Sequence, residues 1–172
     1  MKKLFALFTS AALLFVTSVA SAVPIDGSVN FFGVSNTTAV SGVVTNVVFQ
    51  NQNVGVATGD FALAGIVYLD VVTFTNLNPV APTNALWSVG GFTFDLLNVA
   101  TNTVSGTGAV EISGSGLVKA IGFDDTIFSW LYTAQAGKNQ TFSASSIPAP
   151  AGTALLGLTL LAFGLSRRNK KS

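Results

Sequence analysis

Apolar and polar residues alternate along several short stretches in the middle of this chain, and this alternation constrains its fold most strongly. Phe92, Phe94 and Leu96 fall on one side of an extended backbone, and the residues between them are polar. A period of two places successive side chains on opposite faces of a strand. The pattern therefore predicts strands with one buried and one wet face. It recurs in residues 110–112, 128–132 and 141–145.

Turn-forming residues separate these stretches, and they divide the middle of the chain into short strands. The breaks are expected at residues 51–53, 58–60, 78–79, 101–102, 114–116, 124–125 and 137–139. Strands are predicted near residues 29–34, 40–50, 54–58, 65–76, 86–89, 92–100, 103–113, 117–123, 126–136 and 140–145. Residues 76–85, which include two prolines, are expected to form a long crossover. Short strands at this spacing predict an all-β fold, an antiparallel β-sandwich or a barrel-like domain.

Composition excludes several kinds of chemistry. The chain has 172 residues and contains neither cysteine nor histidine. Disulfides and zinc–thiolate sites are therefore excluded, and so is the side chain that most often acts as a general base. The middle of the chain carries all seven acidic residues but only Lys119 and Lys138 as cations. Because it lacks a basic patch, we do not expect it to bind nucleic acid.

The first 22 residues have the layout of a secretory signal peptide. Lys2 and Lys3 supply the charged start, and residues 4–19 form an almost uninterrupted apolar run. Ala20 and Ala22 are the small residues at the two positions that a signal peptidase reads. We therefore expect cleavage after Ala22 and a mature domain over residues 23–146. An uncleaved membrane anchor is the alternative.

The last 26 residues, 147–172, combine three different elements. Pro148 and Pro150 keep the backbone extended. The apolar run that follows is predicted to form a transmembrane helix over residues 151–166, and residues 147–165 would span about 28 Å as a helix. The basic tail, residues 167–171, should stay on the cytoplasmic side as a stop-transfer signal. A buried helix that ends the domain is the alternative. The four cations of the tail are Arg167, Arg168, Lys170 and Lys171.

This C-terminal end resembles the PEP-CTERM sorting signal, which consists of Val-Pro-Glu-Pro, an apolar helix and a basic cluster. The matching motif here is Ile147-Pro148-Ala149-Pro150, and Ala149 stands where the family has an acidic residue. The resemblance implies processing by an exosortase-type enzyme and transient contact with the inner membrane of a Gram-negative bacterium. It further implies export to the cell envelope, the cell surface or the extracellular matrix, in biofilm alongside exopolysaccharide.

The remaining candidate sites are weaker. Asp124-Asp125 is the only adjacent acidic pair and could hold Ca²⁺ or simply form a turn. Trp87, Trp130 and Tyr132 could stack on a sugar, but their alternation with polar residues favours the core.

The single glutamate of the chain, Glu111, has no evident carboxyl partner for glycoside hydrolysis. We therefore predict that the chain has no catalytic residue, no cofactor and no metal site. We predict that the protein is not an enzyme. The alternatives are a carbohydrate- or Ca²⁺-binding module, a hydrolase with an unrecognised acidic pair, and a plain single-span surface protein.

Overall fold

The computed structural model describes residues 22–135 and 140–147, which form ten strands and one short helix. The strands at the start are β1 (Val23–Pro24), β2 (Ser28–Val40) and β3 (Val43–Ala57). Helix α1 (Asp60–Leu63) follows, and then β4 (Thr73–Phe74), β5 (Thr83–Val89) and β6 (Phe92–Val104). The last strands are β7 (Val110–Lys119), β8 (Phe123–Asp124), β9 (Thr126–Ala134) and β10 (Gln140–Ser146).

Eight of these strands form one antiparallel sheet in the order β3-β2-β10-β9-β7-β6-β5-β4. The sheet curls until its two outer strands nearly meet. The segment around β4 hydrogen-bonds to β3 at two points, where the N–H of Val47 donates to Leu77 and the N–H of Val54 donates to Asp70. The prediction of an all-β antiparallel domain is therefore confirmed, and its architecture is a nearly closed barrel-like sheet.

The barrel interior is filled by the residues that the alternating pattern placed on the buried face. Phe92, Phe94 and Leu96 are all at most 2% exposed. Trp87 stacks on Phe94 with ring centroids 5.3 Å apart, and Phe142 occupies the same core. Such rings bury large apolar areas, so they supply most of the hydrophobic stabilisation of a small domain without disulfides.

Helix α1 closes one end of the barrel. Its Phe61 is fully buried, 4.6 Å from the ring of Phe92 and 5.8 Å from that of Phe128. We call this the tether end; it comprises the start of β2, the end of β10, helix α1 and the residues around β1 and β8. The opposite, far end comprises the β2–β3 turn and residues 105–109, where the N–H of Val104 donates to Gly42.

The predicted strand at residues 103–113 is wrong, because residues 105–109 form the connection between β6 and β7. The predicted strand at residues 65–76 is also wrong. Its β-branched and aromatic composition favoured a strand, but only Thr73–Phe74 is one. The segment before it leaves α1 and runs beside β3, and Leu69 adopts a positive φ of 73° there. Residues 76–85 do not cross the barrel, because β4 and β5 are hydrogen-bonded neighbours. Tertiary pairing thus overrode the local preference.

Three predicted breaks lie inside strands instead. Residues 51–53 are part of β3, where Asn51 has a φ of 50° and the register with β2 shifts nearby. Residues 101–102 belong to β6, and residues 114–116 belong to β7. Asparagine and glycine therefore mark bulges and close contacts here rather than strand ends.

The predicted membrane segment, residues 151–166, and the expected turn at 137–139 lie outside the described residues. Of the predicted signal peptide only Ala22 is described. Within residues 22–135 and 140–147, no helix is long and apolar enough to cross a bilayer. The boundaries of those segments stay predictions from the sequence.

Candidate functional site

The two ends of the described domain meet at the tether end. The N–H of Ser146 donates to the carbonyl of Gly27 at 2.9 Å, and the N–H of Gly27 donates to the Ser146 hydroxyl at 3.2 Å. That hydroxyl also donates to the carboxylate of Asp26 at 2.9 Å. The residues that follow a predicted signal peptide and those that precede a predicted sorting signal are thus held side by side.

Of the residues predicted to be read by processing enzymes, the structure describes Ala22 and Ile147. Ala22 directly precedes β1, whose Val23 pairs in parallel with Phe123. Ile147 directly follows β10, and its N–H donates to the carbonyl of Ile127. Both residues therefore adjoin strands at the tether end. Ala20, Pro148, Ala149, Pro150 and the basic residues 167, 168, 170 and 171 lie outside the described residues.

The far end carries a groove on the outer face of the sheet. Its centre is a row of side chains that pair across four neighbouring strands: Thr103, Glu111, Thr133 and Thr141. The hydroxyls of Thr133 and Thr141 lie 2.8 Å apart, and the groove has a volume of about 550 Å³. The alternating pattern predicted that Glu111 faces solvent. The strand register that aligns it with three threonines could not be predicted from the sequence.

Among the described residues that line it, the groove has hydrogen-bonding groups but no pair of facing carboxyls. Glu111 is exposed and is the only acidic residue among those that line it. Hydrolysis of a glycoside ordinarily needs two carboxyl groups on opposite sides of the scissile bond. The described lining therefore offers hydrogen-bonding groups to a hydroxyl-rich ligand. No aromatic residue contributes to its described lining.

The three aromatic residues considered as a sugar platform are in the core. Trp87 and Tyr132 are fully buried and Trp130 is 3% exposed, as their alternation indicated. The turn predicted at Asp124-Asp125 lies earlier in the chain, at residues 121–122, and Asp124 ends β8. Asp125 is the single residue between β8 and β9, and the Thr126 hydroxyl donates to the Asp124 carbonyl at 2.8 Å. Among the residues that the structure describes, no three acidic side chains converge to hold a metal ion.

No family model matches the chain, and no curated protein or solved structure is significantly similar to it. Any function must therefore be argued from the residues and geometry above.

Two glutamines inside the barrel were not singled out by the sequence. Gln52 and Gln140 are 3% and 1% exposed, and the Gln140 amide donates to the Gln52 carbonyl oxygen. The Gln52 amide in turn donates to the backbone carbonyls of Val34 at 2.8 Å and Gln50 at 2.7 Å. This chain of bonds satisfies carbonyl groups where the register of β2 and β3 shifts. It is structural rather than ligand-binding.

One ion pair lies on the outer face near the tether end. The Nζ of Lys119 is 2.8 Å from Oδ2 of Asp95, and the N–H of Ala85 donates to Oδ1 at 2.7 Å. Partial burial opposes ionisation of Asp95, but these two donors outweigh it and hold the pKa of Asp95 below its ordinary value. The hydrogen bond to Asp95 likewise raises the pKa of Lys119.

Proposed function

We propose that this chain is an exported, non-enzymatic protein of the cell envelope or extracellular matrix, sorted through a PEP-CTERM-like C-terminal signal. The signal peptide delivers residues 23–146 across the inner membrane. The apolar segment 151–166 and the basic tail then hold the chain there until an exosortase-type enzyme processes it near residues 147–150. The protein then acts at the cell surface, in association with exopolysaccharide.

The observation that carries this proposal is the pairing of Gly27 with Ser146. In this proposal the N-terminus of the domain enters the periplasm first, and its C-terminus stays in the membrane. Such a domain can fold beside the bilayer if its first and last residues lie at the same end of the barrel. The hydrogen bonds at the tether end supply that arrangement. In this proposal the far end, with its groove, is directed away from the membrane.

Cell fractionation tests the retention step. Replacing Arg167, Arg168, Lys170 and Lys171 by glutamine should let the C-terminus slip across the membrane, because those charges resist transfer. We expect the parent to pass through the inner-membrane fraction and the variant to appear there at a several-fold lower level. In the matched control Lys2 and Lys3 are replaced by arginine, which keeps both positive charges. This variant should have the same distribution among the fractions as the parent. Equal retention of the parent and the neutral-tail variant would contradict the proposal.

A second candidate function is binding of a polysaccharide in the groove, and the cross-strand row of hydroxyls around Glu111 favours it. Affinity electrophoresis of the full chain through gels containing soluble polysaccharide would detect such binding. Thr133→Val and Thr141→Val should each restore mobility, since both remove hydroxyls of the groove. Asp124→Asn, at the opposite end, is the control. Identical mobility with and without polysaccharide for the parent would exclude this function for the polysaccharides used.

A further inference from the structure

Aliphatic side chains are exposed at the tether end, on elements that come from distant parts of the chain. Ile121, in the turn between β7 and β8, is completely exposed at 101%. Leu63 on α1 is 86% exposed and Val23 on β1 is 64% exposed. Ile127 on β9 and Ile147 after β10 are about half exposed. Exposed apolar side chains also occur on the side of the barrel, at residues 67–71, and near the far end, at Val40 and Val43. Those at the tether end are the ones next to the predicted membrane segment in the chain, and exposed apolar groups of this kind suit a surface that meets a membrane.

Helix α1 shows that this exposure is not an accident of a loosely packed end. Phe61 and Leu63 lie two positions apart in the same four-residue helix, yet Phe61 is fully buried and Leu63 is almost fully exposed. The helix therefore seals the core with one apolar side chain and presents another outward. Ile121 likewise sits beyond the end of β7, whose last core residue is Val118.

Covalent connection indicates which surface the tether end meets. Ile147 is separated from Ala151, where the predicted membrane segment begins, by only three residues. Four residue steps cannot exceed about 14 Å even when fully extended. Because Ser146 is bonded to Gly27, the start of β2 is joined to the same short connection.

We propose that the tether end rests on the bilayer surface while the C-terminal signal is attached, with Ile121, Leu63 and Val23 at the boundary between headgroups and acyl chains. This inference depends on the proposed membrane insertion of residues 151–166. Such contact would orient the domain on the bilayer. It would keep residues 147–150 near the headgroups, where a membrane enzyme can reach them.

The charges of the tether end indicate the kind of lipid. Asp26, Asp60, Asp124 and Asp125 lie there, and the nearby Lys119 is engaged by Asp95. Carboxylates facing a negatively charged leaflet are repelled within roughly 8–10 Å at physiological salt. The contact should therefore be closer on zwitterionic phosphatidylcholine than on membranes rich in phosphatidylglycerol.

The absence of cysteine from the sequence makes this contact measurable in the predicted mature chain, residues 23–172, which lacks the apolar run of the signal peptide. Ile121→Cys is labelled with an environment-sensitive fluorophore and reconstituted into phosphatidylcholine vesicles that contain a nitroxide-labelled lipid as quencher. Thr107→Cys, in the exposed turn at the far end, is the matched control. Flotation of the vesicles reports independently whether the chain is in the membrane. We expect quenching at least three-fold stronger at position 121 than at position 107, falling when half the lipid is phosphatidylglycerol.

The outcomes separate the two proposals. If the chain floats and the two labels are quenched equally, the tether end does not rest on the bilayer, and only anchoring by the tail remains. If the chain does not float, the proposed membrane insertion is wrong and the docking falls with it.

A second pair of variants removes the concern that the label itself drives insertion. With the label at Val23→Cys, the double change Leu63→Ser and Ile121→Ser should reduce quenching at least two-fold. The same change at two exposed valines of the β2–β3 turn, Val40→Ser and Val43→Ser, should not. Equal quenching in both double variants would overturn the docking.

Discussion

Ser146 and Gly27, which are 119 residues apart in the sequence, exchange two hydrogen bonds at one end of the barrel. The Ser146 hydroxyl also bonds to Asp26, so it links the last residue of β10 to the segment before β2. This contact makes the two ends of the domain a single structural unit. It is the basis for our proposal that the two predicted targeting segments leave the barrel at the same end.

We expect Ser146→Ala to lower the free energy of unfolding by about 1 kcal/mol, because it removes two hydrogen bonds and keeps the backbone pair. Chemical denaturation of the parent and the variant measures this. Ser129→Ala is the control, since Ser129 bonds only to the exposed neighbouring Ser145. A loss for Ser146→Ala no larger than that for Ser129→Ala would mean that the Ser146 side chain stabilises the domain no more than an exposed pair of serines does.

Gln52→Leu should be strongly destabilising, by about 2–3 kcal/mol, because two backbone carbonyls and the Gln140 amide would lose their partner in a buried site. Gln50→Leu, which changes an exposed side chain on the same strand, should change stability by about 0.5 kcal/mol or less.

A double-mutant cycle tests whether the two glutamines act together. Gln140→Leu should cost about 1 kcal/mol less in a Gln52→Leu background than in the parent, because its partner is then already missing. Additive losses would show that the bond between the two side chains contributes nothing to stability.

Gly116→Ala should destabilise the domain by about 1–3 kcal/mol through overpacking. A Cβ at this position would lie 2.0 Å from the ring of Phe94, which covers the glycine in the core. Gly106→Ala is the control, because no atom lies within 4 Å of the corresponding Cβ at that exposed turn. Thermal unfolding of both variants gives the comparison, and an unchanged midpoint for Gly116→Ala would refute the packing described here.

The ion pair predicts how stability depends on pH. The folded pKa of Asp95 lies below its unfolded value of 3.8, so the pair contributes stability above that value and loses it as the pH falls through the folded pKa. Asp95→Asn and Lys119→Met should therefore both flatten the loss of stability below about pH 4. Denaturation between pH 7 and pH 2 measures this. A slope unchanged from the parent in both variants would contradict the assignment.

The sequence predicted the inner face of the barrel well where polar and apolar residues alternate cleanly. Phe128 and Trp130 are buried as expected, and Ser129 between them is exposed. This works because the two-residue period of a strand is a local property. The predictions failed where local composition conflicted with long-range pairing, as two examples show. Residues 65–76 are apolar but lie alongside β3, and Gly116 breaks no strand because it makes room for a ring on β6.

The candidate sites depended on information that the sequence does not hold. The groove requires the register between β6, β7, β9 and β10, which brings Glu111 beside Thr103 and Thr133. The tether end requires knowing that β2 and β10 are neighbours. Strand order and register are set by long-range packing, so no single stretch of the chain encodes them.

The intact mass of the mature protein, recovered from separated cell fractions, tests the central claim most directly. The account predicts an N-terminus at Val23 and a C-terminus shortened near residues 147–150, outside the inner membrane. It also predicts that a variant with Pro148→Ala and Pro150→Ala is inserted but keeps its tail. If the parent retains its full C-terminus in the inner membrane and the proline variant behaves identically, the sorting signal is refuted and the chain is a plain single-span membrane protein.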